Sequence, residues 1–256
     1  MALPDPGGGT EPHKPDLAPS KASSVSVVLP AYNEEANVAQ AISEATGALE
    51  TLFGDHEIIV VDDGSTDATA ALVTRIADRD PRVRLIRQGR NRGYGEALRT
   101  GFLASRLDYV FFTDADLQFD VGELERFVPY LGTVDVVAGY RVNRRDTWVR
   151  RLNAYGWNLL VRVLFYVPVR DIDCAFKLFD RRVLDEIDVE SVGAMVNTEL
   201  MVKLGRKGAS VVEIGVTHRP RLAGQARGAS PKVIATAFRE VARMRRRLSS
   251  LDGQEL

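Results

Sequence analysis

The 256-residue sequence predicts an α/β fold: a mostly parallel central sheet with helices on both faces. Two observations carry the prediction. Short β-branched or aromatic runs alternate with helical patterns of ten or more residues, the order that builds crossover-linked parallel strands. Polar, largely acidic clusters follow the first, second and fourth of those runs. In a parallel sheet they fall on one edge, where open α/β sheets take ligands.

In chain order, residues 1–22 hold five prolines and a Gly7-Gly8-Gly9 run with few large apolar residues, the composition of a disordered tail. A single domain is expected over residues 23–250. Val25 to Pro30 reads as a strand stopped by its proline. Ala31-Tyr32-Asn33-Glu34-Glu35 follows, then a helix to about Leu52. Glu57 to Val61 is a second strand, ending in Asp62-Asp63-Gly64-Ser65-Thr66-Asp67. Gly64 suits a tight turn, and Ser65 or Thr66 could cap a helix running to about Arg79. Val83 to Arg87 is the third strand. Asn91-Arg92-Gly93-Tyr94-Gly95 opens a helix to about Arg106. These glycines lack the spacing of a dinucleotide fingerprint and do not follow the first strand, which argues against a Rossmann dehydrogenase. Tyr109 begins a fourth strand and Val134 to Tyr140 a fifth.

Bulk properties narrow the function classes. A net charge of -1 gives no overall pull toward nucleic acid, and no nucleic-acid partner is expected. Cys174 is the only cysteine, which excludes an intramolecular disulfide and points to a reducing, cytoplasmic compartment. No stretch approaches the roughly 20 apolar residues that span a bilayer. The chain reads as soluble or bound to a membrane surface.

The fourth strand ends in Thr113-Asp114-Ala115-Asp116-Leu117-Gln118. Asp114 and Asp116 face the same way if extended geometry continues past the strand. Two hard oxygen ligands suit Mg²⁺ or Mn²⁺, and such an ion would also hold a diphosphate. The plain alternative for one Asp-x-Asp is a solvated turn; three acidic clusters at three strand ends favour the functional reading.

These residues resemble a known family. Ser26 to Glu35, Asp62-Asp63-Gly64-Ser65-x-Asp67, Asn91-x-Gly93-x-Gly95, Asp114-Ala115-Asp116-x-Gln118 and Gly139-x-Arg141 occur in an order similar to the inverting glycosyltransferase family 2. Within it, the polyprenol-phosphate (dolichol-phosphate) mannose and glucose synthases are the nearest likeness, over about residues 24–245. The resemblance implies a GT-A type nucleotide-sugar-binding domain. It implies that Pro30, Tyr32, Glu34, Asp62 and Asp63 hold the nucleoside of a donor such as GDP-mannose or UDP-glucose. Asp114, Ala115, Asp116 and Gln118 would lie against metal and diphosphate, with Asp114, Asp116 and Gln118 as the metal positions for Mg²⁺ or Mn²⁺. Arg141 would stand near the donor sugar and phosphates, and Arg150 would receive the phosphate of a polyprenyl phosphate acceptor. Arg221 and Arg227 belong to a loop resembling the family's Arg-x-x-Gly-x-Ser-Lys, which closes over the diphosphate.

The chain departs from the family pattern at Phe119-Asp120 (often His-Pro), Ala154 (usually Ser), Cys174-Ala175-Phe176 (usually Ser-Gly-Phe) and Ala226 (usually Ser). These positions lie toward the acceptor side or the closing loop, so they bear on the acceptor more than the donor. A phosphate acceptor is already anionic and needs little general base; a hydroxyl acceptor needs one, with Asp120 and Asp171 as candidates. His218 reads as a hydrogen-bonded strand-end residue. Residues 148–167 and 231–248 carry apolar positions at three- and four-residue steps flanked by arginines. Helices lying on a membrane surface fit that pattern, and packing on the domain or on a second subunit of a homo-oligomer fits it equally. Three functions therefore stand: transfer of a hexose to a polyprenyl phosphate, transfer to a soluble acceptor, and nucleotide-sugar binding without catalysis.

Overall fold

The computed structural model describes residues 23–142, 156, 161, 163–165, 167, 169–220, 240–241 and 244–246. The expected tail over residues 1–22 lies outside them. The chain runs β1 (Ser24–Ala31), α1 (Val38–Leu52), β2 (Asp55–Asp62), α2 (Thr69–Ala77), β3 (Val83–Arg87), α3 (Tyr94–Ala104) and β4 (Tyr109–Thr113). A 3₁₀ stretch over Val121–Arg126 precedes β5 (Val136–Val142). Then come β6 (Phe176–Asp180), α4 (Arg181–Asp185), α5 (Val196–Arg206) and β7 (Val211–Thr217).

The seven strands form one sheet in the order β3-β2-β1-β4-β6-β5-β7. Only β6 runs against its neighbours β4 and β5; the other pairs are parallel. The mostly parallel sheet stands as expected, with two strands beyond the five read from the sequence. β6 escaped because its short run Phe-Lys-Leu-Phe-Asp carries a lysine, and β7 because Glu213 and Gly215 interrupt its apolar run.

Burial explains the layers. Along β2, Ile58 and Val60 join one core cluster with Val38 and Val73 of the first two helices, while Ile59 and Val61 join a second with Ala97 of α3. Alternate residues of one strand thus serve opposite faces, so both faces are covered. Between β4 and β6 lies an aromatic layer. Phe111 meets Phe176 edge-on at 4.7 Å, and Phe112 stacks on Phe179 at 6.1 Å. Each buried ring contributes about 2–3 kcal/mol by area, which makes this layer a rigid floor for whatever sits at the strand ends.

Pro30 does not stop β1, which runs on to Ala31. Pairing with β4 ends at Val28, while Ala31 still bonds toward β2 by accepting from the Asp63 N–H at 2.9 Å. Pro30 therefore points toward β4 beyond the end of that ladder, where a missing N–H costs nothing.

Of the two amphipathic segments, the described residues 156, 161 and 163–165 are helical, with Val161 buried and Val163 63% exposed. Residues 240–241 and 244–246 are helical, with Val241 buried and Arg245 and Arg246 exposed. The rest of both segments lies outside the described residues. No helix among the described residues is long and apolar enough to cross a membrane.

Candidate active site

Six strands end on one edge, and the reversed β6 begins there. That edge gathers the loops after β1, β2, β4 and β5 together with the turn before β6.

Backbone and side chain stitch the first two loops together. Asn33, at φ 55°, donates its N–H to Ser65 Oγ (2.9 Å) and accepts from the Thr66 N–H (2.8 Å). The Glu34 N–H donates to Thr69 Oγ1 (2.8 Å), and Glu35 accepts from the Ala68 N–H (2.9 Å). Ser65 and Thr66 are thereby occupied across the loops and do not cap α2. Its first residue is held instead by Asp67, which accepts from the Thr69 N–H at 2.9 Å. The local sequence favoured a cap; the tertiary partner 32 residues away took the hydroxyl. Gly64 sits at φ 76° as its turn requires.

Pro30 is buried, Tyr32 and Glu34 are half-buried, and Glu34 accepts from the Asn37 side chain at 2.7 Å. Asp62 is buried, accepts from the Ser65 N–H (2.9 Å) and lies 3.7 Å from Arg87 Nε. Asp63 is buried too and turns toward the third loop. It accepts from the Arg92 N–H (2.6 Å) and the Gly93 N–H (3.0 Å). Burial raises its pKa above the ordinary aspartate value, against those two hydrogen bonds and with the neighbouring Asp62 charge.

β4 stops at Thr113, so extended geometry does not carry Asp114 and Asp116 to one side. Residues 115–117 turn, with Leu117 at φ 61°. A non-glycine residue held there costs of order 1–3 kcal/mol, strain that collects at functional sites. Both carboxylates still act electrostatically on one neighbour, Tyr94. Burial, then Asp114, and more weakly Asp116, drive the Tyr94 phenol well above its usual pKa. Asp116 is 3% exposed and accepts from the Gln118 N–H at 3.1 Å. Ala115 is buried. Gln118 turns its amide nitrogen to the end of β7, 3.3 Å from both His218 Nε2 and the Arg219 carbonyl. Among the described residues no group of three acidic, histidine or cysteine side chains could hold a metal ion. Two carboxylates fit a divalent cation whose remaining ligands come from a diphosphate and water.

Arg141, at the end of β5, is clamped by Asp171. Its Nε and Nη2 each donate at 2.6 Å to one carboxylate oxygen, and its backbone N–H donates at 3.2 Å. The ion pair raises the guanidinium pKa further although burial opposes it. Both general-base candidates are thus engaged: Asp171 by Arg141, and Asp120 by the Gly122 N–H (3.0 Å) and by Arg219. Cys174 is fully buried, and burial pushes its thiol up to about 12, which favours the neutral thiol over a thiolate. Arg150, Arg221 and Arg227 lie outside the described residues, as do Ala154 and Ala226.

Three residues packed at or beneath this edge were missed from the sequence. Tyr94 and Asn197 reach the Asp114 neighbourhood, the latter from the start of α5. Lys177, 1% exposed, sits beneath the turn that carries Asp171. Only Lys177 had a local signal, as a lone charge in an apolar run.

The family model described as Glycosyl transferase family 2 matches residues 26–188. The chain is 33% identical over 226 residues to the undecaprenyl-phosphate 4-deoxy-4-formamido-L-arabinose transferase of Pseudomonas paraeruginosa, covering 87% of this chain and 65% of that protein. It is 32% identical over 176 residues to the dolichyl-phosphate beta-glucosyltransferase of Dictyostelium discoideum, covering 61% and 54%. The chain thus spans less than two thirds of the length of these relatives. Among solved structures, glucosyl-3-phosphoglycerate synthase from Mycobacterium tuberculosis with phosphoglyceric acid superposes at a TM-score of 0.67, with 24% identity over 90% of this chain and 86% of that one. The same enzyme with Mn²⁺, UDP-glucose and phosphoglyceric acid gives 0.64 and 26% identity, covering 86% and 80%.

Proposed function

The chain belongs to glycosyl transferase family 2, on a GT-A-like fold, and from that premise we propose that it moves a hexose, mannose or glucose, from a nucleotide-diphosphate sugar to a polyprenyl phosphate with inversion. The observation that carries the reading is that Asp62 and Asp63 follow β2 while Asp114 and Asp116 follow β4, the two parallel strands that flank β1, so all four stand on one edge of the sheet. The lipid acceptor is supported by the undecaprenyl-phosphate and dolichyl-phosphate transferases among its relatives.

In this reading Pro30, Tyr32, Glu34, Asp62 and Asp63 form the nucleoside side of the site. Asp114 and Asp116, with Gln118, would hold Mg²⁺ or Mn²⁺. When bound, the cation draws off the charge that develops on the departing diphosphate. A phosphate oxygen of the acceptor attacks the anomeric carbon while the bond from that carbon to the diphosphate breaks, and the nucleoside diphosphate leaves with the electron pair. One in-line displacement inverts the centre. The attacking oxygen is already anionic, so the chain need not supply a base, in keeping with the engagement of Asp120 and Asp171. Arg141 keeps the donors that Asp171 does not use, and arginine's fork suits phosphate. Arg150, Arg221 and Arg227 complete the proposed cationic set. The reaction would run at the cytoplasmic face of a membrane, with the segments around 148–167 and 231–248 on its surface.

A soluble acceptor is the second reading, favoured by the superposition on a synthase bound to phosphoglyceric acid. The deciding experiment offers radiolabelled nucleotide sugars with Mg²⁺ or Mn²⁺ to a short polyprenyl phosphate in detergent. Label from one donor should enter the organic phase, and Asp116→Ala should reduce that rate at least about 100-fold. Transfer to a water-soluble acceptor with none to lipid would overturn the lipid reading. Donor binding without turnover under either acceptor would leave only the non-catalytic alternative.

A further inference from the structure

Lys177 has no part in the chemistry above, yet it occupies a costly place. It lies mid-strand in β6 between Phe112 of β4 and Ala138 of β5, and it is 1% exposed. A buried ammonium survives only if its donors are taken up. Here Nζ donates to the carbonyl of Ile172 at 3.0 Å and to that of Cys174, and stands 5.5 Å over the Phe112 ring. Both carbonyls belong to one tight turn, closed by the Cys174 N–H donating to the Asp171 carbonyl at 3.2 Å. Asp171 opens that turn, and its side chain grips Arg141 through both oxygens. The linkage is continuous: ammonium, turn carbonyls, carboxylate, guanidinium. It runs from the aromatic floor to the edge where the strands end.

We infer that Lys177 is a positioning residue, whose ammonium fixes the 171–174 turn so that Asp171 presents the remaining donors of Arg141 to a phosphate of the substrate. This rests on the proposed transferase reading for the identity of that anion. A lysine that only fills the core would also be buried and bonded. What separates the two roles is coupling to Arg141 and an effect on anion binding.

The test measures binding of UDP and GDP with Mn²⁺ by calorimetry, and steady-state transfer, for the full chain and its variants. Lys177→Met should weaken binding of the favoured nucleotide about tenfold and raise the donor KM similarly, with kcat at saturation within about twofold. In an Arg141→Met background the same change should have almost no further effect. Wild-type affinity in folded Lys177→Met, or full additivity with Arg141→Met, overturns the inference. If Lys177→Met gives no cooperative melt, Lys177→Arg keeps the charge but not its geometry; it should fold with a raised KM, and an unchanged KM there overturns the inference too. A wild-type chain that binds neither nucleotide defeats the transferase reading, and with it this one, before any variant is compared.

Discussion

At the scale of single residues, the site is a set of carboxylates whose roles depend on what holds them. Asp63 spends its oxygens on the Arg92 and Gly93 amides and thereby sets the loop that leads into α3. Asp63→Ala should leave those N–H groups without their acceptor and cost about 1–3 kcal/mol, read as a lower urea midpoint together with a raised nucleotide KM. An unchanged midpoint would mean that water replaces the carboxylate at no cost. Asp62, one residue earlier, anchors Ser65 instead. The sequence located both acids but not this division of labour, because the amides that claim Asp63 lie about thirty positions away. Arg141 teaches the same lesson: its position was legible, its clamp by Asp171 was not.

At the scale of elements, the Gly93-x-Gly95 pair turns on packing. The Gly95 N–H donates to the Val192 carbonyl at 2.9 Å, and a Cβ at Gly95 would stand 2.0 Å from the Ser191 carbonyl oxygen. A Cβ at Gly93, itself at φ 106°, would meet the Val192 carbonyl oxygen at 2.3 Å. The loop before α5 therefore lies directly on the start of α3. Glu199 fastens that loop from below by accepting from the Glu190 N–H (3.0 Å) and the Ser191 N–H (2.7 Å). Gly95→Ala should destabilise the protein by about 1–3 kcal/mol and slow transfer, since the shifted helix start carries Tyr94 against Asp114. Gly47 is the control. It sits exposed within α1 with none of the described residues within 4 Å of its missing Cβ, so Gly47→Ala should stabilise by up to about 1 kcal/mol. Equal thermal shifts for the two variants would refute the packing account. Sequence reading saw a helix entry there; the second loop comes from about a hundred residues later and left no local mark.

At the scale of the whole molecule, stability should depend on pH through a group far from the site. His56 lies near the start of β2, at the opposite end of the sheet from the carboxylates. It is 7% exposed, its Nε2 is buried without a hydrogen-bond partner among the described residues, and burial, aided by Arg82, lowers its pKa. A lowered histidine is neutral in the folded chain where the unfolded chain has begun to take a proton. Its contribution is complete above the ordinary value of about 6.5 and is lost as pH falls through the folded value. The melting temperature should therefore drop between about pH 7 and 5, with a slope of at most about 1.4 kcal/mol per pH unit from this group. His56→Gln should flatten that fall. Asp63, raised by burial, acts in the opposite sense and only nearer the aspartate range. A slope unchanged in His56→Gln would assign the loss to other groups.

The sequence by itself determined the alternation of strands and helices, the edge on which acidic loops gather, and the family to which the chain belongs. Each is written in local periodicity and short-range spacing, which survive without knowledge of the partners. Only the tertiary structure decided that β6 runs backward between β4 and β5, that Ser65 holds Asn33 rather than capping α2, and that β4 ends before Asp114, with Asp116 carried on a turn that holds Leu117 at φ 61°. It also placed Lys177 beneath the Asp171 turn. These outcomes depend on which distant group wins a hydrogen bond or a buried contact, and that competition is settled only when the sheet closes over its core.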